Sequence, residues 1–203
     1  MNLFHKTLDP YKTWLTGDLH TFHNNLCKGS SKWDNISECR DFANAKEMND
    51  VVLTNINKLV KPEHTLIDLG DVCLGRLDDF TKFVNRINCK NHHLIFGNHD
   101  KRYYFDNKFH SLFSSVQFYL EFYSFLDGEK HHINCFHYGG RVWNKSHHGS
   151  ILCYAHSHGS LPSFGRSRDV GVDTNDFKPY LLADIIKWAR TRKIEFVDHH
   201  QEE

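Results

Sequence analysis

The chain has 203 residues, enough for one ordinary domain that buries a core without disulfides or metals as staples. Lysine plus arginine and aspartate plus glutamate number 25 each, so no global field recruits a polyanion and a long nucleic-acid groove is not indicated. No apolar run approaches bilayer-spanning length, and Met1 to Tyr11 lacks the apolar core of a signal peptide; the reading is no membrane contact and a cytoplasmic setting.

Histidine is the compositional outlier at 17, but His92-His93, His131-His132, His147-His148 and His199-His200 read as exposed loop or strand-end residues rather than ligands. The six cysteines (Cys27, Cys39, Cys73, Cys89, Cys135, Cys153) contain no Cys-x-x-Cys pair and read as buried free thiols of a reducing compartment.

Thr13 to Gly17 reads as a first strand ending in Asp18-Leu19-His20. Residues i and i+2 of an extended segment face the same way, so Asp18 and His20 can converge on one metal ion. A polar loop from Thr21 to Trp33 follows. Helical spacing then runs from Ser37 to Leu59 through Phe42, Ala45, Met48, Val52, Leu53, Ile56 and Leu59, with Ser37 expected as N-cap and Pro62 as stop.

Thr65 to Gly70 is the second strand and delivers Asp71, whose two oxygens can bridge two cations. Asp68, inside the strand, is the weaker candidate. Leu77 to Ile87 is a second helix with Phe80, Phe83, Val84 and Ile87 on one face. Leu94-Ile95-Phe96-Gly97 is the third strand and turn, and it presents Asn98, His99 and Asp100: an amide oxygen, a titratable imidazole, and a carboxylate that can orient it. Strand-helix repeats of this kind predict parallel strands whose C-terminal ends share one edge.

Lys101 to Phe113 is aromatic and basic and is expected to line part of a pocket wall. Val116–Leu126 and His131–Phe136 read as strands of a hairpin turning at Asp127-Gly128, the second ending in His137. Ile151 to Ala155 is another strand and ends in His156-Ser157-His158, again at i, i+2 spacing. Arg168 to Asp173 is expected as a short strand, Tyr180 to Thr191 as an amphipathic helix, Ile194 to Val197 as an edge strand, and the tail beyond as frayed.

The strand ends thus collect Asp18, His20, Asp71, Asn98, His137, His156 and His158 besides His99. One ion cannot use seven donors, whereas two ions sharing a bridge can. Mixed oxygen and nitrogen ligation without thiolate suits manganese, iron, zinc, cobalt or nickel. Two divalent ions, two carboxylates and a hydroxide leave roughly one positive charge to face a phosphate.

As an ordered series, Asp18-Leu19-His20, Gly70-Asp71, Gly97-Asn98-His99-Asp100, His137 and His156-Ser157-His158 resembles the calcineurin-like metallophosphoesterases, in particular their short stand-alone branch of bacteria and phages. That resemblance implies a four-layer αββα sandwich over residues 1–203, two mixed sheets flanked by helices. It implies one metal held by Asp18, His20, Asp71 and His158 and a second by Asp71, Asn98, His137 and His156. His99, with Asp100 behind it, would serve the leaving group. The chain departs from the family at Ala155, where glycine is common, and at Thr21-Phe22, where the short branch reads Phe-Gly. No insertion that would form a cap is visible, so the site is expected to be open and to favour phosphodiesters, nucleotides or cyclic nucleotides. His23, Arg102, Arg141 and Arg168 are the candidate substrate contacts. Rival readings are a phosphomonoesterase or phosphoprotein phosphatase, a nuclease, and a scaffold that has lost catalysis; the last is disfavoured because all seven donors are present. The sequence leaves oligomeric state open.

Overall fold

The protein is described from a computed structural model, which covers residues 3–197. Ten strands and four α-helices follow one another along it. The strands are β1 (Thr7–Leu8), β2 (Thr13–Thr16), β3 (Thr65–Asp68), β4 (Asn91–Ile95), β5 (Ser115–Gln117), β6 (Tyr119–Leu126), β7 (Glu129–Phe136), β8 (Ile151–Tyr154), β9 (Ser167–Asp169) and β10 (Tyr180–Leu181). The helices are α1 (Ala45–Leu59), α2 (Leu77–Asn85), α3 (Asn107–His110) and α4 (Leu182–Arg190).

The strands form two mixed five-stranded sheets, ordered β10-β2-β3-β4-β5 and β1-β6-β7-β8-β9. In the first, β2, β3, β4 and β5 are parallel, with Thr16 opposite Asp68 and Asp68 opposite Leu94. In the second, β7, β8 and β9 are parallel and β6 antiparallel to β7. Parallel strands buried on both faces read as near-continuous apolar runs, and Leu66-Ile67 shows why. Leu66 packs with Met48, Val52 and Ile56 of α1 and Phe80 and Phe83 of α2, whereas Ile67 joins Leu15 and Ile95 against Phe122, Ile133 and Cys153 of the other sheet. The buried face of α4 (Leu182, Ala183, Ile185, Ile186) joins this second cluster. Over β6 and β7 the outer cover is a loop rather than a helix: Asn144 donates to both carboxylate oxygens of Glu121 and accepts from Asn134.

At one end the sheets come very close. A Cβ on Gly17 would lie 2.8 Å from Cβ of Ala155, so the small residues permit the approach. Val172 N donates there to Gly17 O at 3.0 Å.

Several boundaries differ from the sequence reading. Helix α1 begins at Ala45, not Ser37. Asn44 is its N-cap, accepting from Glu47 N, and the Glu47 carboxylate accepts from Ala43 N. Ser37 sits in a turn before Phe42, which packs beside the helix core from outside the helix. The run from Val116 to Leu126 is two strands in different sheets, with Phe118 at the crossing. The strand expected over 168–173 ends at Asp169, residues 180–181 pair as β10 before α4, and 194–197 forms no strand. The short β1, α3 and the 3-10 turn His99–Tyr103 were not anticipated. The tail expected to fray lies outside the described residues. All six cysteines are free and buried, as read. Among the described residues no helix is long and apolar enough to cross a membrane.

Replacing the true cap should cost stability and replacing the false one should not. Asn44→Ala is expected to lose about 1 kcal/mol, lowering the thermal midpoint by about 2–4 °C in a chain of this size. Ser37→Ala should stay within about 0.5 kcal/mol. Thermal unfolding of both variants checks the assignment.

Candidate metal centre

The parallel order sets Asp18, Asp71 and Asn98 side by side at the ends of β2, β3 and β4, while β7 and β8 bring His137 and His156 from the other sheet. The loops themselves are laddered: Asp18 N donates to Gly70 O, His20 N to Asp71 O and Thr21 N to Val72 O. Five of the seven expected donors, Asp18, His20, Asp71, His156 and His158, have positive φ between 46° and 68°. Such backbone is costly for residues with a Cβ and gathers at functional sites.

Two donor groups result, Asp18 with His20 and His158, and Asp71 with His137 and His156, each with ligand atoms within 4.8 Å of one another. Asp71 Oδ2 lies 3.5 Å from His137 Nε2 and 3.8 Å from His20 Nε2, so it stands between the groups. Asn98 joins the second, its Oδ1 3.2 Å from His137 Nε2. Asp68 does not join them: its Oδ1 accepts from Gly70 N and its Oδ2 lies 3.7 Å from His92 Nε2.

The chemistry of these donors fits a cation. His137 Nδ1 is 2.6 Å from the carbonyl of Leu69, which can only accept, so Nδ1 carries a hydrogen. Neutral His137 therefore aims its Nε2 lone pair at two more acceptors, Asn98 Oδ1 and Asp71 Oδ2. Both oxygens of fully buried Asp18 and both ring nitrogens of buried His20 lack any hydrogen-bond partner. Buried polar groups are normally paired, and a divalent ion would engage the Asp18 carboxylate together with one ring nitrogen of His20.

The titration behaviour of the metal-free chain says the same. Burial pushes the Asp18 carboxyl up to about 7, against the pull of the neighbouring His158 and His137. Burial also holds His20 well below the usual imidazole range, helped by the Arg40 charge. Burial would lower His137 as well, but its hydrogen bond with Asp71 and that carboxylate's charge outweigh it, and the imidazole is raised. Without an ion, a proton does the work of the missing charge.

Three other carboxylates are spent on backbone and side-chain donors. Asp100 accepts from Asp71 N and Gly97 N through Oδ2 and from Val72 N through Oδ1. It does not stand behind the His99 ring as expected; both its oxygens fix the turns that carry Asp71 and Asn98. Asp169 holds the 156–159 loop through Ser157 Oγ and Gly159 N. Asp173 accepts from His158 Nδ1 at 2.7 Å and takes a two-point contact from Arg40, whose other donors reach the carbonyls of Asp18 and Leu19. Burial opposes ionisation of Asp173, but His158 and Arg40 hold its carboxyl well below the usual range. The sequence reading missed Arg40, Asp169 and Asp173. Nothing local marks them: β9, which carries Asp169, reads Ser167-Arg168-Asp169 and is polar throughout.

His99 is at the mouth, its side chain 45% exposed, with Nε2 3.9 Å from Asp71 Oδ2 and its backbone N donating to Asp71 Oδ1. His23 lies beside the set, ring centroid 5.8 Å from that of His20. The arginines are engaged elsewhere. Arg102 donates to Cys73 O and Gly75 O, Arg141 lies over Phe164, and Arg168 is held between Tyr180 and Trp188. Among the described residues no hydrogen bond or ion pair joins any of the three to the donors. A groove of about 620 Å³ runs between the start of α1 and α2, and none of the seven donors lines it.

The molecule is thus an α/β protein of two mixed sheets with a candidate two-ion centre at the strand ends. No protein-family model and no curated protein matches the chain. A solved structure does: a protein of unknown function, AQ665 from Aquifex aeolicus, is similar with a TM-score of 0.63 over 90% of this chain and 100% of that one, at 22% identity. That likeness is one of fold.

Two outcomes are expected of the buried acids. Asp18 has its folded pKa raised, so in chelated protein its contribution is fully present below about 3.8 and is lost as pH rises through about 7. Chelated Asp18→Asn should therefore be more stable than chelated wild type at pH 8, by an amount on the order of a few kcal/mol, and should lose the stabilisation that added manganese gives wild type. Gly97→Ala should abolish ion binding, because its Cβ would fall against Asp71 Oδ1 and 2.7 Å from His137 Cε1. Thermal melts with and without manganese, and metal analysis, check both.

Proposed function

We propose that the chain is a phosphoesterase of the calcineurin-like metallophosphoesterase type, working with two divalent cations. The observation that carries the reading is the pair of donor groups astride Asp71, in which acceptors face acceptors. By the resemblance of the motifs, Asp18, His20, Asp71 and His158 would hold one ion and Asp71, Asn98, His137 and His156 the other. The donor set, oxygen and imidazole without thiolate, suits manganese, iron, zinc, cobalt or nickel. Bound ions would supply activation of water at neutral pH and charge to offset the phosphoryl oxygens.

The remaining work falls to this chain's own groups. Asp71, between the two sets, fixes their spacing. Asp100, Asp169 and the Arg40–Asp173 pair hold the loops, so that little rearrangement is needed on binding. His99 is exposed beside Asp71 and can give its proton to the departing alcohol oxygen as water's oxygen joins phosphorus and the ester P–O bond breaks, the proton lost by the water passing to solvent, from which His99 is reprotonated. Exposure of His99, His156 and His158 makes the centre reachable from solvent, which favours a diester, nucleotide-like or otherwise, over a small substrate that must be enclosed.

Purified protein, with manganese and after chelation, should hydrolyse bis-p-nitrophenyl phosphate in preference to p-nitrophenyl phosphate, and only with metal. Preference for the monoester would make it a phosphatase instead. Inactivity at full metal occupancy would leave a non-catalytic scaffold. His99→Ala should lower turnover by about 10²–10⁴-fold with two ions still bound, whereas Asp71→Asn should disturb both. Metal analysis showing the reverse would overturn these roles.

A further inference from the structure

The two donor groups are flanked by aromatic side chains left open to solvent. On the first, Trp33 is 46% exposed and its ring lies edge-to-face with His23 at 5.6 Å between centroids, His23 in turn lying 5.8 Å from His20. On the second, Tyr138 is 40% exposed and its ring lies 4.6 Å from that of His156 and 5.0 Å from that of His137. Among the described residues no other exposed aromatic ring pairs with a site histidine; Phe118, for instance, packs on Phe96 and Tyr104. Among the described residues, neither the Trp33 indole N–H nor the Tyr138 hydroxyl has a hydrogen-bond partner. The rings are fixed by contact with the histidines while much of their surface is left bare.

Exposed rings of this kind stack planar groups with little regard to which group it is. Here Tyr138 lies against two donors of the second group, and Trp33 lies one ring removed from the first, against His23. Resting on the phosphoesterase reading, we infer that the centre binds a phosphodiester carrying a planar ring on each side of phosphorus, with Trp33 and Tyr138 each taking one ring. A monoester or a cyclic nucleotide offers a single ring and leaves one side chain unused. The balanced charge of the chain, 25 basic and 25 acidic residues, fits a short diester rather than a long polyanion.

Calorimetric titration of manganese-loaded protein with diphenyl phosphate and with dimethyl phosphate tests the inference by binding alone. Diphenyl phosphate should bind at least about tenfold tighter. Trp33→Ala and Tyr138→Ala should each weaken it about three- to tenfold without changing dimethyl phosphate affinity or manganese content, and Trp33→Phe and Tyr138→Phe should keep the preference. Equal affinity of wild type for the two esters, or an undiminished preference in the double alanine variant, overturns the inference. Ring-selective binding with no ester hydrolysed would defeat the phosphoesterase reading and leave the two-ring site standing. Hydrolysis of diesters without ring selectivity would do the opposite.

Discussion

Around Asp71, acceptors outnumber hydrogens. The Asp71 carboxylate and the Asn98 amide oxygen both converge on Nε2 of His137, which carries no hydrogen when neutral and a single one when protonated, and beside them Asp18 and His20 are buried without partners. In a dry environment such a cluster is tolerated only if positive charge enters it. A proton and a divalent ion are the two candidates, and they compete for the same atoms. The rest of the architecture serves to keep these groups facing one another when their own chemistry would push them apart.

The carboxylates divide by what their oxygens do, with Asp71 doing both: its Oδ1 accepts from His99 N and its Oδ2 faces the histidines. Asp100, Asp169 and Asp173 have theirs occupied, by backbone N–H groups, by Ser157, and by Arg40 and His158. Asp18 has neither occupied. Each engaged acid braces a loop that carries a donor, so three acids hold the frame and two are left for the cargo. Arg40 extends the frame by gripping the carbonyls of Asp18 and Leu19 while clamping the acid that orients His158. The backbone strain at five donor positions is sustained because these contacts determine the loops from several sides.

The sequence showed the donors because they follow strands at fixed offsets. Asp18 with His20, and His156 with His158, are i, i+2 pairs, and parallel strands put their ends on one edge. It did not show the frame. Arg40 and Asp173 are 133 residues apart and meet only in the folded chain. Asp100 looked like a partner for its neighbour His99, but adjacent residues in a tight turn diverge, and its carboxyl instead reaches back to Asp71 N and Val72 N. The start of α1 was misplaced because Ser37 and Asn44 are both competent caps, and only Asn44 has a glutamate three residues on to reciprocate. The split at Phe118 was hidden because one apolar run serves both sheets.

The seven donors are spread from Asp18 to His158 and drawn from both sheets, so no single strand-helix unit contains either group complete. The second set needs β3, β4, β7 and β8 all in place. An ion can therefore neither nucleate folding nor stabilise a half-formed sandwich. It would grip only the finished molecule, and a contact absent from the folding transition state acts on the rate of leaving the native state rather than the rate of reaching it. Metal would make this protein slow to unfold without making it any quicker to fold.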